Sequence, residues 1–173
     1  LELVFRSPSP AIKIEFQGGE PLLNFPLIKF IVESAIEINN RAPRPLQFVI
    51  TTNLALLTDE VLAFCKAHEI LISTSLDGPR DLHNANRPRP GRDSYERACS
   101  GIAKAREALG YDRVSALMTT TRASLGRPRE IVDEYLRQGF NNIFFRALSP
   151  YGFAIKTTTY AAYDTDEWLK FYF

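Results

Sequence analysis

Cysteine is scarce in this chain, since its 173 residues include only Cys65 and Cys99. Two cysteines so far apart in sequence form neither a disulfide framework nor a metal-binding motif. Each lies in an apolar helical pattern, and we expect a buried small residue at both positions. The sequence also lacks a signal peptide and an apolar run long enough to span a bilayer, which favours a cytoplasmic protein with no membrane partner.

Excess charge of one sign is lacking as well. The formal net charge is +1, so no global field argues for a nucleic-acid partner. Hydrophobic residues make up 45% of the chain and charged residues 24%, which is typical of a globular protein. This length is sufficient for one domain with a substantial core.

What the sequence does contain is an alternation of short apolar runs with amphipathic segments. The predicted strands are 11–17, 46–52, 70–76, 113–120 and 142–148, and the predicted helices are 25–39, 59–68, 94–109 and 128–138. Strand–helix repetition without hairpin signals indicates parallel strands joined by right-handed crossovers. The candidate folds are a (β/α) barrel, whole or partial, and a doubly wound open sheet. In both, ligands bind at the carboxyl ends of the strands.

The most informative strand end is Gln17-Gly18-Gly19-Glu20-Pro21. Two glycines let a backbone turn tightly and approach a ligand, and a glutamate suits an ammonium group. Taken alone, this pattern is also typical of an ordinary strand-to-helix turn.

Polar residues follow the other strands too. Asn53 follows the second strand and can bind a ligand or form a turn with its own backbone. Ser75 and Arg87 follow the third strand, and a hydroxyl with a guanidinium suits a carboxylate. An amino-acid-like head group fits this set of residues, although the residues alone do not name a cofactor.

The order QGGEP, TTN, SLDGP and H-x-x-x-R resembles the radical S-adenosylmethionine (radical SAM) enzymes, in the branch of anaerobic sulfatase-maturing enzymes and SPASM peptide maturases. Within this branch the chain is most similar to the His-Xaa-Ser system maturases. The similarity lies in the stretch from residues 5–10 through QGGEP and in residues 148–152. The resemblance covers about residues 1–153 and is specific as a combination of motifs.

This resemblance implies an α/β fold, a partial (β/α)6 TIM-like barrel of parallel strands with outer helices. It implies S-adenosylmethionine (SAM) and a [4Fe-4S] cluster, which together give a 5′-deoxyadenosyl radical that takes a hydrogen from a peptide or protein substrate. An electron donor such as flavodoxin or ferredoxin would be a partner. The SAM-binding residues it implies are Gln17, Gly18, Gly19, Glu20, Pro21, Asn53, Ser75 and Arg87, with Leu148 bordering the adenine.

One motif of the family is missing, because no CxxxCxxC precedes QGGEP. We therefore expect a fragment, incomplete at both ends and inactive alone, with no metal ligands and no assignable catalytic residue. Residues 1–153 would be the barrel core without its first strand and cluster loop, and 154–173 the start of a following helix or linker. The alternatives are a catalytically silent barrel used for partner binding, and a different (β/α) barrel enzyme acting on a phosphorylated small molecule.

Overall fold

The computed structural model of the chain describes residues 1–148, 156 and 163–173. The strands are β1 (Ile12–Phe16), β2 (Leu46–Thr51), β3 (Leu71–Ser75), β4 (Val114–Thr120) and β5 (Phe144–Ala147). The helices are α1 (Glu2–Phe5), α2 (Phe25–Asn39), α3 (Asp59–Ala67), α4 (Arg80–Asn86), α5 (Ser94–Leu109), α6 (Pro128–Arg137) and α7 (Thr165–Tyr172). Within the described ranges, no helix has the length and hydropathy needed to cross a membrane.

The strands form one sheet in which their spatial order, β1-β2-β3-β4-β5, is their order in sequence. The pairs β1–β2, β2–β3 and β4–β5 are parallel, with Ile12 beside Leu46, Val49 beside Leu71 and Leu117 beside Phe144. The predicted parallel α/β architecture is therefore confirmed. The carboxyl ends of β1 and β2 lie at the same edge, so the residues that follow these two strands meet there.

The chain divides into two compact units, of which the first comprises residues 1–74 and 101–115. In this unit α2 buries Ile28, Val32 and Ala35, which share one face of the helix. β2 contributes the buried Phe48 and Ile50 to the same core. The first unit is thus a layer of parallel strands with helices packed on its apolar side.

The second unit comprises residues 75–100 and 116–173. On β4 the side chains of Ala116 and Met118 are buried, and the hydroxyl of the buried Tyr135 on α6 donates to the carbonyl of Leu76 at 2.7 Å. The aromatic end of the chain forms α7, where Phe171 is buried and packs edge-to-face on Phe145 at 5.5 Å. The predicted division at residue 153 stays a prediction, because residues 149–155 and 157–162 lie outside the described part of the chain.

Helix α4 was not predicted from the sequence. Its seven residues include one large apolar side chain, Leu82, so the segment shows no helical periodicity. The helix follows the turn Asp77-Gly78-Pro79, and Pro79 occupies its N-cap position. Tertiary contacts rather than a periodic apolar sequence pattern stabilise α4, since Leu82 and His83 are both buried.

Gly78, the middle residue of this turn, has φ +121°, a backbone conformation that residues with a Cβ rarely adopt. A Cβ added there would lie 2.9 Å from Ile131 Cγ1 and 3.2 Å from Leu82 Cδ2. We expect Gly78→Ala to lower the free energy of unfolding by about 2 kcal/mol, measured by urea denaturation. Gly126→Ala is the matched control, because a Cβ on Gly126 meets no atom within 4 Å. Equal stabilities of the two variants would contradict this account of the turn.

Candidate functional site

Glu20 lies in the turn that follows β1 and begins the short 3-10 helix Pro21–Asn24. Its backbone is extended, and its carboxylate Oε1 accepts from the N–H of Leu22 at 3.1 Å. An N-cap carboxylate satisfies an amide that the helix itself leaves unpaired. The side chain is therefore fixed in direction by the turn that carries it.

The same carboxylate also binds the end of β2. Thr52 Oγ1 donates to Glu20 Oε1 at 2.6 Å, and the Asn53 N–H donates to Oε2 at 2.9 Å. Thr52 is 4% exposed, so this side of the network is shielded from water. Each carboxylate oxygen can accept about two hydrogen bonds. Among the described residues, Oε2 receives one donor, which leaves it one acceptor position for a ligand.

The glycines before Glu20 border open space. A Cβ on Gly18 or Gly19 would meet no atom within 4 Å, so packing inside the described protein does not require glycine at either position. The absence of side chains here keeps the backbone accessible to a ligand. The side chain of Gln17 turns back along β1, where its amide donates to Glu15 Oε1 at 2.6 Å.

Of the two roles that the sequence allows for Asn53, ligand binding and a turn with its own backbone, the structure shows the turn. Its Oδ1 accepts from the Ala55 N–H at 2.8 Å, a local turn typical of asparagine. Within the described ranges its amide nitrogen has no protein partner and can donate to a ligand.

In the second unit, the buried carboxylate of Asp77 is the centre of a separate network. Arg87 donates to it twice, from Nε to Oδ2 at 2.7 Å and from Nη2 to Oδ1 at 3.1 Å. The Thr119 N–H donates to Oδ1 at 3.1 Å. Asp77 therefore joins the turn after β3 to β4 and to the end of α4.

His83 supports the backbone of this turn. The Asp77 N–H donates to His83 Nδ1 at 3.1 Å, which requires Nδ1 to be unprotonated. The imidazole is 1% exposed, and its burial lowers its pKa below the ordinary histidine value. His83 is therefore a neutral structural acceptor at neutral pH.

Ser75 and Leu148 are the remaining predicted site residues of the second unit. Ser75 is the half-buried last residue of β3. The Leu148 N–H donates to the Tyr163 hydroxyl at 2.9 Å, and that hydroxyl donates to the Thr120 carbonyl at 2.8 Å. Residues 149–152, which carry part of the predicted resemblance, lie outside the described residues.

In the first unit the structure joins the turn Gln17-Gly18-Gly19-Glu20-Pro21 to Asn53 through the Glu20 carboxylate, while the side chain of Gln17 lies outside this network. Arg87, Ser75 and Leu148 belong to the second unit, and the binding of one SAM molecule by both sets, which the resemblance implies, stays a prediction. The partners that orient the two central charges were not predicted: Thr52 holds Glu20, and Thr119 holds the Asp77–Arg87 pair. The helical spacing of His83 and Arg87, four residues apart, is a signal that could have placed both beside Asp77.

The cysteines do not form a metal site. Cys65 is completely buried, and burial raises the pKa of its thiol to about 12. Cys99 is half-buried rather than buried as expected, and its partial burial raises the pKa of its thiol as well. A metal needs the thiolate, which both environments disfavour. In the described part of the chain, no group of three or more His, Cys, Asp or Glu could hold a metal ion.

Comparisons with known proteins give a consistent picture. The family model described as the radical SAM superfamily matches residues 6–135. An uncharacterized protein of Methanothermobacter thermautotrophicus is 37% identical over 128 residues, 73% of this chain and 46% of that protein. The serine-type anaerobic sulfatase-maturating enzyme of Bacteroides thetaiotaomicron is 28% identical over 58% of this chain and 24% of its own length. The chain thus spans less than half of each of these relatives.

Solved structures show the same fold. Native anSMEcpe with bound AdoMet and Kp18Cys peptide superposes with a TM-score of 0.75 and 21% identity, covering 94% of this chain and 45% of that one. Native anSMEcpe with bound AdoMet gives a TM-score of 0.69 and 21% identity, covering 86% and 40%. The α/β fold of the partial TIM-like barrel type, predicted from the resemblance, is confirmed by these likenesses.

Proposed function

Since this chain belongs to the radical SAM superfamily, we propose that it forms the SAM-binding part of an enzyme that modifies a peptide or protein. The observation that carries the proposal is the carboxylate of Glu20, which three protein donors fix while Oε2 keeps one acceptor position. Such an anchored carboxylate is suited to an ammonium group. The open space at Gly18 and Gly19 gives a ligand access to it.

Each residue of the site has a role in the proposal. Glu20 accepts from the SAM amine, and Thr52 and Asn53 hold its carboxylate in place. The backbone at Gly18 and Gly19 approaches the same head group. Arg87 and Ser75 bind the carboxylate or ribose of SAM, and Leu148 borders the adenine. Because three protein donors fix the Glu20 carboxylate, its direction toward the amine is set by the protein.

SAM and a [4Fe-4S] cluster supply, when bound, the radical chemistry that removes a hydrogen atom from the substrate. The residues of this chain fit SAM but not the cluster, because such a cluster needs several converging thiolates and the chain has two distant cysteines. The cluster belongs to the proposal for the whole protein, and the residues of this chain hold SAM rather than iron.

A peptide substrate is supported by two relatives of this chain. One is named a sulfatase-maturating enzyme, and another was solved with a peptide bound. The proposal also includes an electron donor such as flavodoxin or ferredoxin and a cytoplasmic location. It includes no nucleic-acid or membrane partner, and it places the protein near the His-Xaa-Ser maturases.

The test uses the protein as its gene encodes it, reconstituted anaerobically with iron and sulfide. With SAM and dithionite it is expected to produce 5′-deoxyadenosine and methionine, detected by liquid chromatography and mass spectrometry. Omission of dithionite is the control and abolishes both products. SAM binding without 5′-deoxyadenosine would favour the catalytically silent barrel, and failure to bind SAM would refute the proposal.

A further inference from the structure

The ion pair between Asp77 and Arg87 is more constrained than a surface pair. Asp77 is 1% exposed, and its two oxygens receive three donors, two from Arg87 and one from Thr119. Its own N–H is fixed on the buried His83. A carboxylate held on its side chain and its backbone cannot follow a moving guanidinium. Arg87 therefore has one preferred position while the pair is intact.

The Arg87 guanidinium has two edges that each present two parallel N–H donors, and Asp77 binds one of these edges. The pair Nε and Nη2 faces Asp77. The second pair, formed by Nη1 and the remaining hydrogen of Nη2, has no partner among the described residues. The Arg87 side chain is 33% exposed, so this second pair can reach a ligand. Two parallel N–H donors match the two oxygens of a carboxylate.

We propose that Asp77 is a positioning residue, which holds Arg87 so that its second pair of donors binds the carboxylate of SAM. This inference rests on the proposed function, since it concerns the same ligand. A buried ion pair alone is weak grounds for stability, because desolvation offsets much of the attraction. This pair instead has a role in ligand binding, because Asp77 holds one edge of the Arg87 guanidinium and leaves the other edge oriented for an anion.

The test compares SAM with decarboxylated SAM, which keeps the amine, ribose and adenine but lacks the carboxylate. Binding of both ligands is measured by equilibrium dialysis on the full-length, cluster-reconstituted protein. In Asp77→Asn the dissociation constant for SAM is expected to rise about threefold to tenfold, because the arginine must now be ordered on binding. The dissociation constant for decarboxylated SAM should change by less than about twofold.

Arg87→Ala provides the second arm of the experiment. If Asp77 acts through Arg87, Asp77→Asn has no further effect on SAM binding in the Arg87→Ala background. Equal weakening of both ligands in Asp77→Asn, or a full effect of Asp77→Asn without Arg87, would show a merely structural pair and overturn the inference. If Asp77→Asn is unfolded at the assay temperature, Asp77→Glu, which keeps the charge but displaces the carboxylate, replaces it, and the same loss selective for SAM is required.

The outcomes separate this inference from the proposed function. Wild-type protein that binds neither ligand would overturn both. Wild-type protein that binds SAM through Glu20, with no carboxylate-selective effect at Asp77, would overturn the inference and leave the proposed function intact.

Discussion

Arg87→Met is expected to lower the free energy of unfolding by about 3 kcal/mol. The substitution leaves Asp77, which is 1% exposed, with the Thr119 N–H as its remaining donor in the described structure. Removing one partner of a buried pair typically costs about 3–5 kcal/mol, and we place this case at the lower end because Arg87 is one-third exposed. Urea denaturation followed by circular dichroism measures the change.

Two variants control this prediction. Arg89→Met removes a neighbouring arginine whose pair with Asp93 is solvent-exposed, and it should cost less than about 1 kcal/mol. Arg87→Met combined with Asp77→Asn should regain about half of the lost stability, since the neutral amide no longer needs a counter-charge. If Arg87→Met costs no more than Arg89→Met, the pair does not hold the second unit together.

Glu20→Gln is expected to weaken SAM binding by about one to two decades in the reconstituted full-length protein. The amide keeps the size of the side chain but loses the charge-assisted hydrogen bond to the amine, which is worth about 1.5–3 kcal/mol. Glu37→Gln is the matched control in the same unit, because Glu37 is an exposed carboxylate on α2 whose ion-pair partner among the described residues is the exposed Arg41. Its SAM affinity should equal that of the wild type.

Glu20→Ala is a less clean experiment than the sequence suggests. A glutamate in a turn is expected to tolerate truncation without cost to the fold. In the structure its carboxylate accepts from Leu22, Thr52 and Asn53, so truncation leaves three donors without their partner. We expect about 1–3 kcal/mol of lost stability in addition to the lost affinity. Unchanged SAM binding in Glu20→Gln, with cluster content equal to wild type, would show that another residue receives the amine.

Much of the fold could be predicted from the sequence because each strand is a short apolar run between turn residues. The bounds of α2 and α5 were predicted to the residue, and all five strands lie within the predicted segments. The side chain of Thr58 accepts from the Val61 N–H at the start of α3, the N-cap role that threonine commonly has. Helix α4 was missed because contacts of Leu82 and His83, rather than periodicity, define it.

The site was less predictable than the fold. The motifs pointed to Glu20 and Arg87, but the partners that orient these charges come from other segments. Thr52 lies 32 residues after Glu20 and meets it because β1 and β2 are parallel neighbours. Thr119 reaches Asp77 across 42 residues through its backbone N–H, which any residue except proline possesses. A contact made by a backbone group therefore cannot be predicted from the type of residue that makes it.

The most direct test of the account is a structure of the full-length protein with SAM bound. The account predicts that the amine nitrogen of SAM lies within about 2.7–2.9 Å of Glu20 Oε2, at the acceptor position that Asn53 leaves open. Thr52 and Asn53 would keep the hydrogen bonds that they make to Glu20 here. An amine bound by a different carboxylate, with the Glu20 network unchanged and distant from the ligand, would contradict the central claim.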